Sequence, residues 1–301
     1  PPPGSTGGTG IDCPAIFMEC GESMRLKPGF HFSQNNLQDF VDCPRRFELL
    51  HVLHLPWPAI QSEPVLEQEW HMELGQRFHQ LVHRHQLGLP LDAIESGIDD
   101  GVLGTWWQNY LQHQLENIPQ TRYPEWMLAA PFAGYRLVAK YDLLAISPGE
   151  RAVIVDWKTN RFRPKPSTLK ERVQTRLYRY LLVKAGRGLY GRETIPPEAV
   201  EMIYWFTETP ESPICYAYTL FELNEDQKYL QELITSIEIL SLKPDPFPMT
   251  DDEKQCKFCK FRTLCNRGIH PGNINEPSGG ILESEPPEIQ IDFDQIGEIE
   301  F

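Results

Sequence analysis

No stretch of the chain approaches the ~20 consecutive apolar residues that a membrane-spanning helix needs. No signal peptide is visible, and no internal repeat runs through its 301 residues. These absences argue against a membrane or secreted protein and lead us to expect a cytoplasmic one. Basic residues are also in short supply. The 28 Lys and Arg face 42 Asp and Glu, a net charge of −14, which by itself speaks against a nucleic-acid partner. The placement of the charges changes that reading. From Glu276 onward the chain carries eight acidic and no basic residues, and residues 1–27 are net −1, so residues 28–275 hold only about −5. Within that body, basic residues gather in two places. One group is Lys158, Arg161, Arg163, Lys165, Lys170, Arg172, Arg176 and Arg179; the other is Lys254, Lys257, Lys260, Arg262 and Arg267. Such clusters suit phosphate contact, and the competing reading is a solvated loop and helix face.

What is present is a sizeable core, with 41% apolar residues and 11% aromatics. Residues 1–27 open with a Pro/Gly/Ser/Thr-rich stretch expected to be disordered. Helices are expected over Gln34–Leu53, Glu67–Gln86 and Gly101–Glu116, with a Pro/Trp break at residues 55–58. Strands are expected near 125–132, 134–146 and 151–158, a helix over Leu169–Lys184, strands near 200–207 and 214–222, and a helix over Asn224–Leu242. This order reads as an α/β fold, a mixed central sheet flanked by helices. One domain is expected over 28–270, with an N-terminal helical insertion at about 55–120 and a catalytic core at about 125–242. The acidic segment 271–301 is expected to be flexible. Its alternation of Ile289, Ile291 and Phe293 with polar residues could also form a strand at a sheet edge or an arm lying in a basic groove.

The segment Val153-Ile154-Val155-Asp156-Trp157-Lys158 carries the clearest chemistry. An apolar β-type run of this kind signals a buried central strand. Residues two apart on a strand share a face, so Asp156 and Lys158 point together while Trp157 turns away. Asp142, fourteen residues earlier, ends another apolar run and leaves room for a turn at Ser147-Pro148-Gly149-Glu150. Two such carboxylates suit a hard divalent cation. The blander alternative, an ordinary surface pair, fits poorly with the buried run that precedes it. On the helix following, Gln174 and Tyr178 are i and i+4 and share a face. Upstream, His79 lies in Gly75-Gln76-Arg77-Phe78-His79, within a segment whose apolar residues recur at helical spacing. Of seven cysteines, Cys256, Cys259 and Cys265 form a C-x2-C-x5-C run, and Cys43 stands alone before Pro44. Cys215 reads as a buried strand residue.

Taken in order, these motifs resemble the PD-(D/E)xK nuclease superfamily, and within it the RecB-like or AddB-like branch that carries an iron–sulfur cluster and includes CRISPR-associated exonucleases. The resemblance spans roughly Phe32 to Arg267. It implies a restriction-endonuclease-like core closed by an iron–sulfur clasp, and a metal-dependent DNA nuclease whose narrow site would not thread intact duplex, hence an exonuclease directed to single strands or ends in recombination or repair. His79, Asp142 and Asp156, with the Trp157 carbonyl, would bind Mg2+ or Mn2+. Lys158 would assist the nucleophile, and Gln174 and Tyr178 would line the groove. Cys43, Cys256, Cys259 and Cys265 would hold a [4Fe-4S] cluster, with Zn2+ as the chemical rival. A helicase partner would supply unwound strand. The same motifs would also suit a CRISPR-adaptation nuclease, or a non-catalytic DNA-end binding subunit.

Overall fold

The computed structural model describes residues 26–268 apart from 28, 56–62, 192–193 and 258, with the backbone alone for 63–68. The expectations for the acidic tail, and for all but the last residues of the N-terminal segment, lie outside the described residues. A short strand β1 (His31–Phe32) leads into α1 (Gln34–Asp42), where Ser33 and Asn36 exchange side-chain-to-backbone hydrogen bonds in a capping box. The single helix expected over Gln34–Leu53 is broken. Cys43 is extended (φ −164°) because the next residue is a proline, which has no N–H to donate and disfavours a helical residue before it. The chain restarts as α2 (Pro44–Phe47) and a π-helical turn (Glu48–Val52).

Next come α3 (Glu63–Gln86), α4 (Leu91–Glu95) and α5 (Gly101–Gln112), the last capped by the Asp100 carboxylate. Three strands follow, β2 (Thr121–Phe132), β3 (Tyr135–Ser147) and β4 (Arg151–Lys158). After α6 (Pro166–Glu171), Arg172 turns extended, so the helix expected from Leu169 is split and α7 begins at Val173 and runs to Ala185. Then come α8 (Arg187–Tyr190), β5 (Val200–Phe206), β6 (Ile214–Ala217) and α9 (Leu220–Ser241). β6 is shorter than the strand expected over 214–222 because Thr219 already caps α9, accepting from the Glu222 N–H. Cys215 is exposed on it rather than buried, since β6 is an edge strand that packs only one face inward.

The sheet is mixed. β2 pairs antiparallel with β3 along nearly its whole length. On the other side of β3, β1 takes residues 136–137 in parallel and β4 takes residues 143–147 antiparallel. β5 then runs parallel to β4, and β6 closes that edge antiparallel to β5. The outer strand β2 contains Pro124 and Pro131. Each face carries its own core. On one, Leu144, Ile146, Ile154 and Met202 meet Leu177, Leu181 and Leu182 of α7. On the other, Leu143, Val153, Val155 and Trp205 meet Leu74, Phe78, Trp106 and Tyr110 of α3 and α5. The helices read as an insertion therefore supply the cover of one sheet face, and Phe78 stacks on Trp205 with ring centres 6.2 Å apart.

Strand alternation breaks at one level of the sheet. Leu137, Ala139 and Tyr141 of β3 join the first core, but Leu143 and Ala145 join the second while Leu144 and Ile146 return to the first. The change of face falls at Asp142. Opposite it on β2, Pro124 pairs with Leu143 and Trp126 with Tyr141, and Glu125 between them has φ 53°. A left-handed backbone at a non-glycine residue inside a strand is strained. This kink in both strands sets the geometry of the site below.

Candidate active site

The ladder between β3 and β4 ends at Leu143 and Val155. The next residue on each strand is Asp142 or Asp156, and like charges directly opposite destabilise a strand pair, so the strands part there. Across the opening, the main-chain N–H of Trp157 donates to Oδ2 of Asp142 at 3.0 Å. β4 continues beside β5, with Asp156 level with Tyr204 and Lys158 with Phe206. Trp157 belongs to the α3–α5 core, which leaves Asp156 and Lys158 under α7.

Both charged residues are nearly fully buried, at 4% and 6% exposure, and buried charges need partners. Nζ of Lys158 lies 3.0 Å from Oδ2 of Asp156 and donates to Oε1 of Gln174 at 2.8 Å. The amide nitrogen of the same Gln174 donates to Oδ1 of Asp156 at 2.6 Å. The Tyr204 hydroxyl adds a weaker contact to Gln174 Oε1 at 3.3 Å, and is itself fixed by Thr175 Oγ1 at 2.7 Å. Gln174 therefore holds both members of the acid–lysine pair in one orientation.

On the other side of the opening, α3 presents His79, whose Nδ1 is 3.4 Å from Oδ2 of Asp142. Ligand atoms of His79, Glu125 and Asp142 all lie within 4.8 Å of one another, the one such group among the described residues. Glu125 also pairs with Lys140. Burial works against a charged His79, but Asp142, Asp156 and Glu125 outweigh it and raise the imidazole above its ordinary value. Burial likewise works against a charged Asp142. His79, the Trp157 N–H and Lys158 outweigh it and hold that carboxyl below its ordinary range. Two carboxylates and one imidazole, with Asp156 beyond them, form an oxygen-rich donor set of the kind a hard divalent ion takes.

Glu125 was not among the residues the sequence singled out. Its approach to Asp142 depends on the paired kink, for which Pro124 inside an apparent strand is the one sequence signal. Tyr178 is placed differently from a groove-lining residue. Its hydroxyl donates to the Lys140 carbonyl at 2.7 Å, while the Tyr141 hydroxyl donates to the Tyr178 carbonyl at 3.0 Å. These bonds tie α7 to β3 just before Asp142. Nor does the whole basic run face outward. Arg179 is buried and lies near Asp226 and Glu222, Arg176 pairs with Glu171 and Asp226, and Lys170 pairs with Glu222. Arg161, Arg163 and Lys165 are exposed on the loop after β4.

The described cysteines of the C-terminal run meet the N-terminal helices. Cys43, Cys256, Cys259 and Cys265 line one cavity together with Arg46, Arg262 and Arg267. Burial, and then the neighbouring cysteines, push the thiols of Cys256 and Cys265 up; burial foremost raises Cys259. No three of these sulfurs lie within 4.8 Å of one another, so the thiols do not form a set closed around a single ion. The segment is held by protein contacts. The Arg45 N–H donates to the Pro248 carbonyl at 3.0 Å, the Phe247 N–H to buried Glu48 at 3.1 Å, and Phe47 stacks on Phe247. Cys13 and Cys20 lie outside the described residues.

A family model of the PD-(D/E)XK nuclease superfamily matches residues 31–266. No curated protein matches the chain. Among solved structures it is similar to the crystal structure of SSO0001, at 14% identity and a TM-score of 0.40, covering 81% of this chain and 90% of that one. It is also similar to a Eubacterium rectale protein named "Putative exonuclease", at 13% identity and a TM-score of 0.48, covering 83% and 94%. No helix among the described residues is long and apolar enough to cross a membrane.

Proposed function

The chain belongs to the PD-(D/E)XK nuclease superfamily, and from that premise we propose that it hydrolyses DNA phosphodiesters with a divalent metal, acting on single strands or ends. The observation that carries this reading is the convergence of His79, Glu125 and Asp142 within 4.8 Å, beside a buried lysine fixed between Asp156 and Gln174. His79, Glu125, Asp142 and Asp156, with the Trp157 carbonyl, would hold Mg2+ or Mn2+. When bound, the ion supplies a more acidic water and a polarised phosphoryl oxygen. Lys158, held by Asp156 and Gln174, orients the attacking water and offsets charge gathering on the phosphate. Water oxygen bonds to phosphorus as the ester oxygen leaves. Gln174 positions Lys158 and Asp156, and Tyr178 holds β3 at Lys140.

The order of the motifs supports the finer assignment to the RecB-like branch, an exonuclease of recombination or repair supplied with unwound strand by a helicase. Labelled linear single strands, their circular counterparts and blunt duplex, incubated with Mn2+, test it with the native chain and Lys158→Ala. Cleavage of linear strand by the native chain alone is expected. Cutting of circles would replace exonuclease by endonuclease, and equal inactivity of both proteins would leave a non-catalytic DNA-binding role.

The order of the cysteine motifs supports a [4Fe-4S] clasp over zinc, and the four thiols line one cavity without being gathered into a cluster. Arg267 beside Cys256 and Arg46 beside Cys259 offset part of the burial that raises those thiols. Absorbance near ~400 nm and an iron-to-zinc ratio on protein isolated without oxygen decide between them. A colourless, zinc-loaded protein would remove the cluster.

A further inference from the structure

Trp126 is 40% exposed, although it sits inside a strand pair, level with buried Tyr141. On a regular strand, residues 123 and 126 would point to opposite faces. Here the left-handed backbone of Glu125 (φ 53°) reverses the alternation, and the rings of Tyr123 and Trp126 meet with centres 5.3 Å apart at 60°. Tyr123 is anchored against the α7-side core, so it backs the indole and leaves the remaining surface of Trp126 to solvent. The residue that makes this turn, Glu125, belongs to the His79–Glu125–Asp142 group. One kink therefore delivers a carboxylate to the ion-suited group and leaves an open aromatic ring on the next residue of the strand.

We propose that Trp126, supported by Tyr123, is a stacking platform for an unpaired base flanking the phosphate that is cut. This rests on the nuclease reading above and adds the residue that would select single strands. Every base has a π-face, so an aromatic platform accepts any sequence. In a duplex those faces are already covered by neighbouring base pairs. The ammonium of Lys140, paired with Glu125, adds positive charge at the residue preceding Trp126 for the sugar–phosphate backbone. A hydrophobic protein partner would want a wider apolar patch than one indole offers, which is why a single base is the occupant the geometry favours.

The test is equilibrium binding in Ca2+, without turnover, of a labelled oligothymidylate, the same strand with one abasic site beside the terminal phosphate, and a duplex of equal length. Trp126→Ala is expected to weaken binding of the intact strand about 10-fold, with Trp126→Phe close to the native chain. The native chain should bind the abasic strand about as weakly as Trp126→Ala binds the intact one, and Trp126→Ala should not distinguish the two strands. Duplex binding by Trp126→Ala should stay at the native level, which separates loss of the platform from a general folding defect. Equal losses on strand and duplex, or a Trp126→Ala protein that still discriminates the abasic strand, would overturn the platform while a cleaving native chain keeps the nuclease reading. A native chain that neither binds nor cuts any of these would sink both.

Discussion

Glu125 stands level with Asp142 across the β2–β3 pair, and each lies where its strand changes the face it presents. Their carboxylates are brought together by backbone conformation, with the left-handed φ of Glu125 as its visible mark. Strain of this kind costs of order 1–3 kcal/mol and persists where the surroundings enforce it.

Glu125→Gly should therefore separate stability from metal binding. Glycine adopts positive φ freely, and the half-exposed pair with Lys140 is worth little. The metal-free melting temperature is expected to hold or rise, while Mn2+ affinity measured by calorimetry falls at least about 10-fold. A variant that binds Mn2+ like the native chain would remove Glu125 from the ligand set.

Lys158→Ala should abolish cleavage by about 100-fold or more and also destabilise the metal-free fold. It leaves Asp156, 4% exposed, without its ammonium partner at 3.0 Å, and orphaning one member of a buried pair costs about 3–5 kcal/mol. Added Mn2+ should recover much of that loss, because the ion replaces the missing positive charge. Thermal melts with and without metal read this directly, and a melt insensitive to both mutation and ion would contradict it.

Gln174→Glu is expected to be worse for catalysis than its small change in shape suggests. It keeps an acceptor for Lys158 but sets a second carboxylate where the amide nitrogen now donates to Asp156 at 2.6 Å. The two acids would then share a proton near neutrality. Activity should fall about 10-fold or more at neutral pH, with the pH profile displaced from the native one. An unshifted profile would show that Gln174 does not set the state of Asp156.

Metal binding should release a proton over a defined window. Although burial opposes its charge, the surrounding carboxylates raise His79 above 6.5 in the metal-free protein, and an imidazole must be neutral to ligate. A raised pKa means that charged His79 stabilises the metal-free fold fully below 6.5, and that this contribution is lost as pH climbs through the raised value. Mn2+ affinity should therefore increase with pH across that interval and level off above it. Calorimetry in two buffers of different ionisation enthalpy counts the protons, and His79→Ala should abolish the release.

Much of this arrangement could be read from the sequence. The Val-Ile-Val run and the spacing of Asp156 and Lys158 dictate a buried strand with both side chains on one side. Helical spacing, by contrast, shows only that Gln174 shares a face with Tyr178, and its place in the groove came from the family resemblance. Glu125 was invisible because its position follows from a φ sign, which leaves no periodic trace beyond Pro124. Arg179 looked like a phosphate contact because a sequence shows charge without its partner; Asp226, 47 residues later, lies 3.6 Å away. Pro44 did announce the broken helix at Cys43, and its warning outweighs the apolar spacing that continues through it.

The two prolines of β2 have a consequence beyond the site. A proline cannot donate to a neighbouring strand and is tolerated in a sheet where its nitrogen faces outward, so the rim formed by β2 lacks donors at 124 and 131. That rim is a poor template for a second chain. A nuclease sheet left open on this side is thereby protected against edge-to-edge aggregation, and growth of the sheet by an added strand is directed to β6.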